Sequence, residues 1–204
     1  MTYFDDTEYA SRNLIELITH EEKELALLKD SLITEEAKFR VNRWDFETSD
    51  LNDDFSDAYV QAAFGRMARA HEEAGKLKAQ ANALQVSIGA RQMAVQAMCG
   101  ALLQIAKQGI SVVHGGLGAA PSGRGISGIA LKDIVWQARN QALHYEEGNF
   151  RRAVTDLFQQ LENSHGSEFS LTQHAHQSRA KQTVALLGWN DYAVFQKDMK
   201  SLGL

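Results

Sequence analysis

The stretch IALKDIVWQARNQALHYEE, residues 129–147, decides the fold class, because it carries an apolar repeat of helical period and contains neither proline nor glycine. Its apolar residues recur at steps of three and four, so they fall on one side of a helix. These residues are Leu131, Ile134, Val135, Ala138, Ala142 and Tyr145. The repeat predicts an amphipathic helix over 129–147 that packs one face against a core.

Polar side chains form a row on another side of this predicted helix. With Asp133 at zero and an advance of about 100° per residue, Asn140 and His144 fall within about 20° of Asp133. Arg139 immediately precedes Asn140 and points away from the row, but its long stem reaches toward either side. An acid, an amide and an imidazole aligned in this way indicate a functional site.

A second apolar strip lies beside the polar row, too far round the helix to share the core face. It consists of Ile129, Trp136 and Leu143. An apolar strip that borders polar groups is typical of a surface shared between subunits. We therefore expect a symmetric homodimer with this strip near the two-fold axis.

Helical periodicity also covers most of the first half of the chain. Residues 7–39 and residues 57–109 each carry an apolar stripe on alternating three- and four-residue steps, which predicts two long helices folded into an antiparallel pair. Residues 41–56 lose the periodicity and predict an acidic connector. This connector lacks the glycine and the closing glutamate of a calcium-binding loop, so we interpret it as a plain loop.

The glycine-rich segment HGGLGAAPSGRGISG, residues 114–128, separates the long helices from the motif helix. A phosphate-binding loop is an alternative, but no strand is predicted before this segment and it lacks the Gly-Lys-Ser/Thr ending. We predict a flexible linker or a mobile lid.

The C-terminal part predicts three shorter helices. Gly148 is suited to end the motif helix and Asn149 to cap the next one. The predicted helices cover residues 150–163, 173–187 and 191–202, with Gly188 in the last connection. The sequence thus predicts an all-α bundle of five to six helices in a single domain over 1–204. That domain comprises a helical hairpin (1–113), the glycine-rich connector (114–128), and the motif helix with the C-terminal helices (129–204).

Composition limits the possible compartment and partners. The net charge of −5 argues against broad, nonspecific coating of nucleic acid, although it leaves room for a local basic site. The single cysteine, Cys99, excludes disulfides within the chain and favours a reducing compartment. No run of 18 apolar residues is present, and the acidic start lacks the pattern of a signal peptide. We expect a cytoplasmic protein without membrane spans.

The motif helix contains an Arg-x4-His pattern, Arg139 to His144, and the chain holds a second copy at Arg66 and His71. Only the Arg139 copy has an adjacent amide, an aligned acid and a neighbouring apolar strip, so we treat the Arg66 copy as a chance repeat. The structural alternative is that Arg139 pairs with an acid on a solvated face and that His144 caps the helix end.

The arrangement Arg139-Asn140-x3-His144 in an all-helical chain resembles the motif of the HEPN superfamily, whose members carry Arg, a polar residue, a short spacer and His. Asp133 matches an acidic residue found in some HEPN ribonucleases, and the ending around 187–192 is also similar to bacterial HEPN proteins. The specific motif covers about residues 126–158.

The resemblance implies a metal-independent endoribonuclease that acts as a dimer, often as a toxin or antiphage effector with an antitoxin or operon partner. Two-fold pairing of the motif helices would bring the Arg139 and His144 of both chains to one composite cleft at the dimer interface. Cleavage through the ribose 2′-OH needs a base, an acid and a charge stabiliser. His144 would move protons and Arg139 would hold the phosphate. Asn140 would orient the phosphate or His144, and Asp133 would orient Arg139 or the imidazole. No cofactor and no metal are required.

One position departs from the family. In HEPN toxins paired with a nucleotidyltransferase antitoxin, a modified tyrosine stands two residues after the histidine. In this chain Tyr145 follows His144 directly and Glu146 takes the next place, which puts that mode of control in doubt.

Two other functions remain open on the sequence alone. The first is a non-catalytic helical binding or scaffold protein that uses the long helices as its working surface. The second is a metal site built from His165, His174 and His176, although no carboxylate or cysteine completes that set.

Overall fold

The computed structural model describes residues 2–48 and 57–204 of the chain. Six α-helices and one two-stranded antiparallel sheet make up these residues, so the predicted all-α class is confirmed. The helices and strands are α1 (Tyr3–Thr48), α2 (Asp57–His114), β1 (Gly125–Ile126), β2 (Ile129–Ala130), α3 (Leu131–His144), α4 (Arg152–His165), α5 (Ala180–Leu187) and α6 (Tyr192–Ser201). Short 3₁₀ turns cover Tyr145–Glu147 and Ser167–Phe169.

Both long helices extend beyond their predicted ends. The prediction ended α1 near Phe39, but the helix continues to Thr48, because lost apolar periodicity does not stop a helix that meets neither proline nor glycine. The prediction of a loop from residue 41 is therefore wrong for 41–48, and the rest of the acidic connector, 49–56, lies outside the described residues. Helix α2 begins at Asp57 as predicted and ends at His114.

The chain forms two compact units. One comprises Met1–Glu21 with Met93–Leu204, and the other comprises Glu22–Gln92. In the second unit the predicted stripes are only partly buried: Leu25, Leu77, Ala81 and Ile88 are buried, whereas Leu28, Leu32, Phe39 and Leu84 are partly exposed. The first unit holds a continuous hydrophobic core, to which all six helices contribute large side chains. Its most deeply buried aromatic residues are Trp189, Phe158, Phe169 and Phe195.

Two residues of the glycine-rich segment, Ala120 and Ile126, belong to this core, while most of its other residues are exposed. Its end forms the β1–β2 hairpin, in which Ile126 pairs with Ile129 and both are buried. Ser127 and Gly128 make the turn with positive φ angles of 51° and 82°, as a tight hairpin turn requires. The hairpin pairing orders residues 125–130, whereas the flexible linker or mobile lid for the rest of the segment stays a prediction.

A buried polar cluster fastens the segment to α6. Asp198 is 1% exposed and accepts hydrogen bonds from Arg124 Nε at 2.7 Å and from Trp189 Nε1 at 2.8 Å. Arg124 Nη2 also donates to the carbonyl of Leu187 at 2.6 Å. The bonds to Asp198 raise the pKa of the Arg124 guanidinium, which therefore stays charged. This pairing compensates a carboxylate that would otherwise be too costly to bury.

The C-terminal helices begin later than the sequence predicts. Helix α4 starts at Arg152, so the expected N-cap at Asn149 is wrong, and Arg151 stands at the cap without a side-chain bond. Helix α5 starts at Ala180 and not near residue 173. Gly148 and Gly188 end their helical segments in the left-handed conformation, as predicted for Gly148. None of the helices in the described residues combines the length and apolar character that crossing a bilayer requires.

Candidate functional site

Helix α3 presents the predicted face to the core. Its apolar residues Leu131, Ile134, Val135 and Ala138 are buried, and Gln141 is buried with them at 1% exposed. The side-chain amide of Gln141 donates to the carbonyl of Gln177 at 2.9 Å and accepts from the backbone N–H of Arg179 at 2.8 Å. Gln141 was missed by the sequence analysis, although its position lies about 20° from Ile134 on the helix.

His144 ends α3 with an accessible side chain, 48% exposed. Its Nδ1 lies 2.6 Å from Oε1 of Glu147, one turn further along the chain. An ionised carboxylate only accepts hydrogen bonds, so Nδ1 carries the proton in this pair and Nε2 is the atom left for chemistry. Glu147 is a second residue that the sequence analysis missed, because the predicted acid partner was Asp133.

Arg139 is partly buried and reaches toward α2. Its Nε donates to the side-chain oxygen of Gln104, and its Nη1 lies 3.5 Å from Oδ1 of Asn140. Asn140 in turn donates to Gln137 at 3.4 Å. The two motif residues Arg139 and Asn140 are therefore in contact, and Gln104, which no sequence pattern indicated, holds the guanidinium.

Asp133 lies apart from the other predicted site residues. It is partly buried in the first turn of α3, and no hydrogen bond or ion pair between described residues joins it to Arg139 or His144. A rise of about 1.5 Å per residue places it roughly 16 Å from His144 along the helix axis. Asp133 thus lies on the same face of the helix as His144 but does not contact it.

The members of the second apolar strip have different surroundings. Ile129 is 8% exposed and belongs to the core through strand β2, so it is not part of an exposed strip. Trp136 packs partly against the core, and the ammonium of Lys107 lies 4.4 Å from the centre of its ring. Leu143 is 56% exposed. The surface that remains for another molecule is therefore smaller than the sequence predicts.

The hydroxyl of Tyr145, the residue after His144, donates a hydrogen bond to Oε1 of Glu146 at 3.1 Å. This bond raises the pKa of Tyr145, so the phenol stays protonated near neutral pH. The acidic groups after His144 thus bind different partners: Glu147 contacts the imidazole and Glu146 the phenol.

Two of the three histidines of the alternative metal site have separate partners. His165 Nε2 lies 2.8 Å from the hydroxyl of Ser127, and His176 Nδ1 lies 3.0 Å from the carbonyl oxygen of Glu146. In the part of the chain that the structure describes, no cluster of three or more potential ligand side chains is arranged to hold a metal ion. The hypothesis of a metal site from His165, His174 and His176 gains no support from this arrangement.

No protein-family model matches the chain, and comparisons with curated proteins and with solved structures find no match either.

Proposed function

We propose that the protein is a metal-independent endoribonuclease of the HEPN type, with Arg139 and His144 as the reacting groups. One observation carries the proposal: His144 is accessible, its Nδ1 is bound by the Glu147 carboxylate, and it follows Arg139 by five residues on the same helix. An imidazole held at one nitrogen and exposed overall is suited to proton transfer at the other nitrogen.

The reaction begins when Nε2 of His144 removes the proton from a ribose 2′-OH. The 2′-oxygen then bonds to the adjacent phosphorus as the bond from phosphorus to the 5′-oxygen breaks, and a general acid protonates the departing 5′-oxygen. Arg139 balances the negative charge that develops on the phosphate oxygens, because its guanidinium donates several directed hydrogen bonds. The products are a 2′,3′-cyclic phosphate and a 5′-hydroxyl end.

Gln104 and Asn140 support the proposed role of Arg139. The bond from Nε to Gln104 fixes one edge of the guanidinium, while the contact with Asn140 limits its rotation. A restricted guanidinium loses less entropy when it binds a phosphate than a mobile one does. Asp133 has no such contact with the pair, so we assign orientation of the imidazole to Glu147.

The proposal also covers the pairing of the long helices, the oligomeric state, the site of action and the partners. We propose that α1 and α2 pair antiparallel, since the Tyr3 hydroxyl binds the Ile105 carbonyl and Gln85 lies 3.5 Å from Glu36. We also propose a homodimer through the exposed surface near Leu143 and a cytoplasmic site of action, where RNA is the substrate. An antitoxin or operon partner remains part of the proposal.

Incubation of the purified full-length protein with total RNA in EDTA tests the activity. We expect fragments with 2′,3′-cyclic phosphate and 5′-hydroxyl ends, and no cleavage by His144→Ala. Products with 5′-phosphate ends, or activity that requires added Mg²⁺, would point to metal-assisted hydrolysis. Intact RNA with the wild-type protein, across substrates of different structure, would contradict the proposal.

The role of Glu147 has a matched control in its neighbour Glu146. Loss of a carboxylate that orients a catalytic imidazole should lower the cleavage rate about 10–100-fold, the scale known for groups that orient metal-bound histidines. Glu147→Gln removes the charge and keeps the shape, whereas Glu146→Gln changes only the contact with Tyr145. A loss in kcat for the first variant alone is the expected result.

A helical binding or scaffold protein is the second candidate. The observation in its favour is an apolar surface on α1, where Ile33, Val41 and Trp44 are 62%, 66% and 66% exposed. Ile33 and Val41 also line a shallow groove on that helix. Exposed apolar groups at this density mark interaction surfaces. For a scaffold, expression in a bacterial host should leave cell growth and cellular RNA unaffected.

A further inference from the structure

A second histidine is held against the turn that follows His144. His176 lies in the segment between α4 and α5, and its Nδ1 is 3.0 Å from the carbonyl oxygen of Glu146. The next residue, Glu147, binds His144. Two exposed imidazoles are thus anchored to consecutive residues of one 3₁₀ turn.

The His176 ring packs directly on the backbone of Gly148. A Cβ atom at Gly148 would lie 2.5 Å from Cε1 of the ring, which is closer than any real side chain permits. Gly148 also has a φ of 65°, a conformation that glycine adopts without strain. Gly148 therefore also leaves the space in which the imidazole of His176 packs.

The backbone of His176 is itself in an uncommon conformation. Its φ is 58°, and Ser127 is the other non-glycine residue with positive φ among those described. Such a conformation costs free energy and persists only when neighbouring contacts impose it. The contacts come from Gln141, whose buried amide binds the carbonyl of Gln177 and the N–H of Arg179. The motif helix thus fixes the segment that carries His176.

Arg179 strengthens the same segment. Arg179 is 4% exposed. Its Nη2 donates a hydrogen bond to Gln177 Oε1 at 2.7 Å, and its Nη1 donates one to the Glu168 carbonyl at 3.3 Å. Burial lowers the pKa of the Arg179 guanidinium. A buried cation is costly, so this position is built for rigidity, which favours a precise placement of the neighbouring ring.

We propose that His176 is a second catalytic residue of the His144 site and serves as the general acid in the same chain. The inference rests on the proposed ribonuclease function. A carbonyl oxygen only accepts hydrogen bonds, so Nδ1 of His176 carries a proton and Nε2 is the atom that exchanges protons with substrate. His144 Nε2 takes the proton of the 2′-OH, and protonated His176 Nε2 gives its proton to the departing 5′-oxygen. The bond from the 2′-oxygen to phosphorus forms as the bond to the 5′-oxygen breaks, so atoms and charge balance.

With His144 as the base and His176 as the acid, a second subunit is not needed to supply the other proton-transfer group. Cleavage through the 2′-OH needs both a base and an acid, and a single imidazole in one protonation state serves only one of these at a time. With His176, one chain supplies both. The bond of Glu147 to His144 and the bond of the Glu146 carbonyl to His176 hold the two imidazoles separately.

The experiment compares two substrates and three variants of the full-length protein. The substrates are an RNA dinucleotide and uridine 3′-(4-nitrophenyl phosphate), whose leaving group departs without a proton. The variants are His144→Ala, His176→Asn and His174→Asn. Asparagine tolerates positive φ, so it preserves the backbone at residue 176, and His174 provides a matched position two residues away. Circular dichroism melts establish that each variant is folded.

We expect His176→Asn to cleave the dinucleotide about 10²–10⁴-fold more slowly than wild type, the usual contribution of a general acid. The same variant should cleave the nitrophenyl ester within a few-fold of wild type, whereas His144→Ala should be slow on both substrates. His174→Asn should behave as wild type on both.

Two results would overturn the inference and leave the ribonuclease intact. One is a wild-type rate on the dinucleotide for His176→Asn, beside an inactive His144→Ala. The other is an equal loss on both substrates for His176→Asn, which would exclude protonation of the leaving group as its role. A wild-type protein that cleaves neither substrate and no natural RNA would instead contradict the proposed function itself.

Discussion

The side-chain oxygen of Gln141 accepts a hydrogen bond of 2.8 Å from the backbone N–H of Arg179. The nitrogen of the same amide donates to the Gln177 carbonyl, so one buried side chain binds two backbone groups just before α5 begins. Buried backbone groups without partners are strongly destabilising. This amide is therefore the structural link between the motif helix and the C-terminal segment.

Gln141→Ala should lower the free energy of unfolding by about 1–3 kcal/mol, because it leaves the buried N–H of Arg179 without its acceptor. Urea unfolding followed by circular dichroism measures the change. Gln137→Ala is the matched control, since Gln137 lies on the same helix, is only partly buried and makes one long contact with Asn140. Equal losses for the two variants would show that the amide of Gln141 does not hold the segment.

The core face of α3 could be predicted because packing imposes its periodicity on the sequence. The residues at helical steps from Leu131 to Ala138 are buried as expected. Helix ends were less predictable, because they depend on contacts distant in sequence. The segment 173–179 has helical composition, but the bonds to Gln141 and the left-handed conformation of His176 prevent a helix there.

The sequence predicts which face of the motif helix carries the site, but it does not predict which residues contact one another there. Periodicity places Asp133, Asn140 and His144 on one face, but sharing a face does not bring residues eleven positions apart into contact, and periodicity carries no information about neighbouring elements. Glu147 contacts His144 because the chain tightens into a 3₁₀ turn after α3. Gln104 comes from a different helix, and the sequence contains no pattern that links it to Arg139.

Asp198 provides a test of how the glycine-rich segment is fastened. Asp198→Ala leaves the Trp189 N–H without its buried acceptor and separates Arg124 from its partner. The side chain of Arg124 is 40% exposed and can be solvated without Asp198, so the buried indole N–H accounts for most of the loss, about 1–3 kcal/mol in the free energy of unfolding. Asp156→Ala breaks the exposed pair with Arg152 and should cost only about 0–1 kcal/mol. Chemical denaturation of both variants measures the difference, and similar small losses would mean that the segment does not depend on this cluster.

The homodimer prediction now depends on the exposed end of the apolar strip. Trp136→Glu would disturb the core as well as the surface, since Trp136 packs partly against the core. Leu143→Glu is the cleaner variant, because Leu143 is 56% exposed, and a charge buried in an interface should shift the mass measured by light scattering toward the monomer. Val112→Glu, at an apolar residue 65% exposed on α2, is the control. A wild-type protein that is monomeric at tens of micromolar would contradict a specific dimer.

The chain contains its own control for the proposed catalytic pair. Arg66 and His71 have the same spacing as Arg139 and His144, so sequence pattern alone cannot rank the two copies. The side chain of Arg66 lies outside the described residues, whereas Arg139 has a fixed contact with Gln104. If geometry decides activity, only the Arg139/His144 copy should matter.

His144→Ala should lower the RNA cleavage rate about 10²–10⁴-fold, because the imidazole moves the proton. Arg139→Lys keeps the charge but loses the fork of donors, so a loss of at least about 10²-fold is expected if the guanidinium stabilises the developing oxyanion. Neither position contributes an apolar side chain to the core, so the melting temperatures should stay close to that of wild type. His71→Ala should cleave within a few-fold of wild type. Equal losses of activity for His71→Ala and His144→Ala would show that the spacing on a helix suffices and that the local geometry around His144 carries no function. If neither variant lost activity, the scaffold function would be favoured over the ribonuclease.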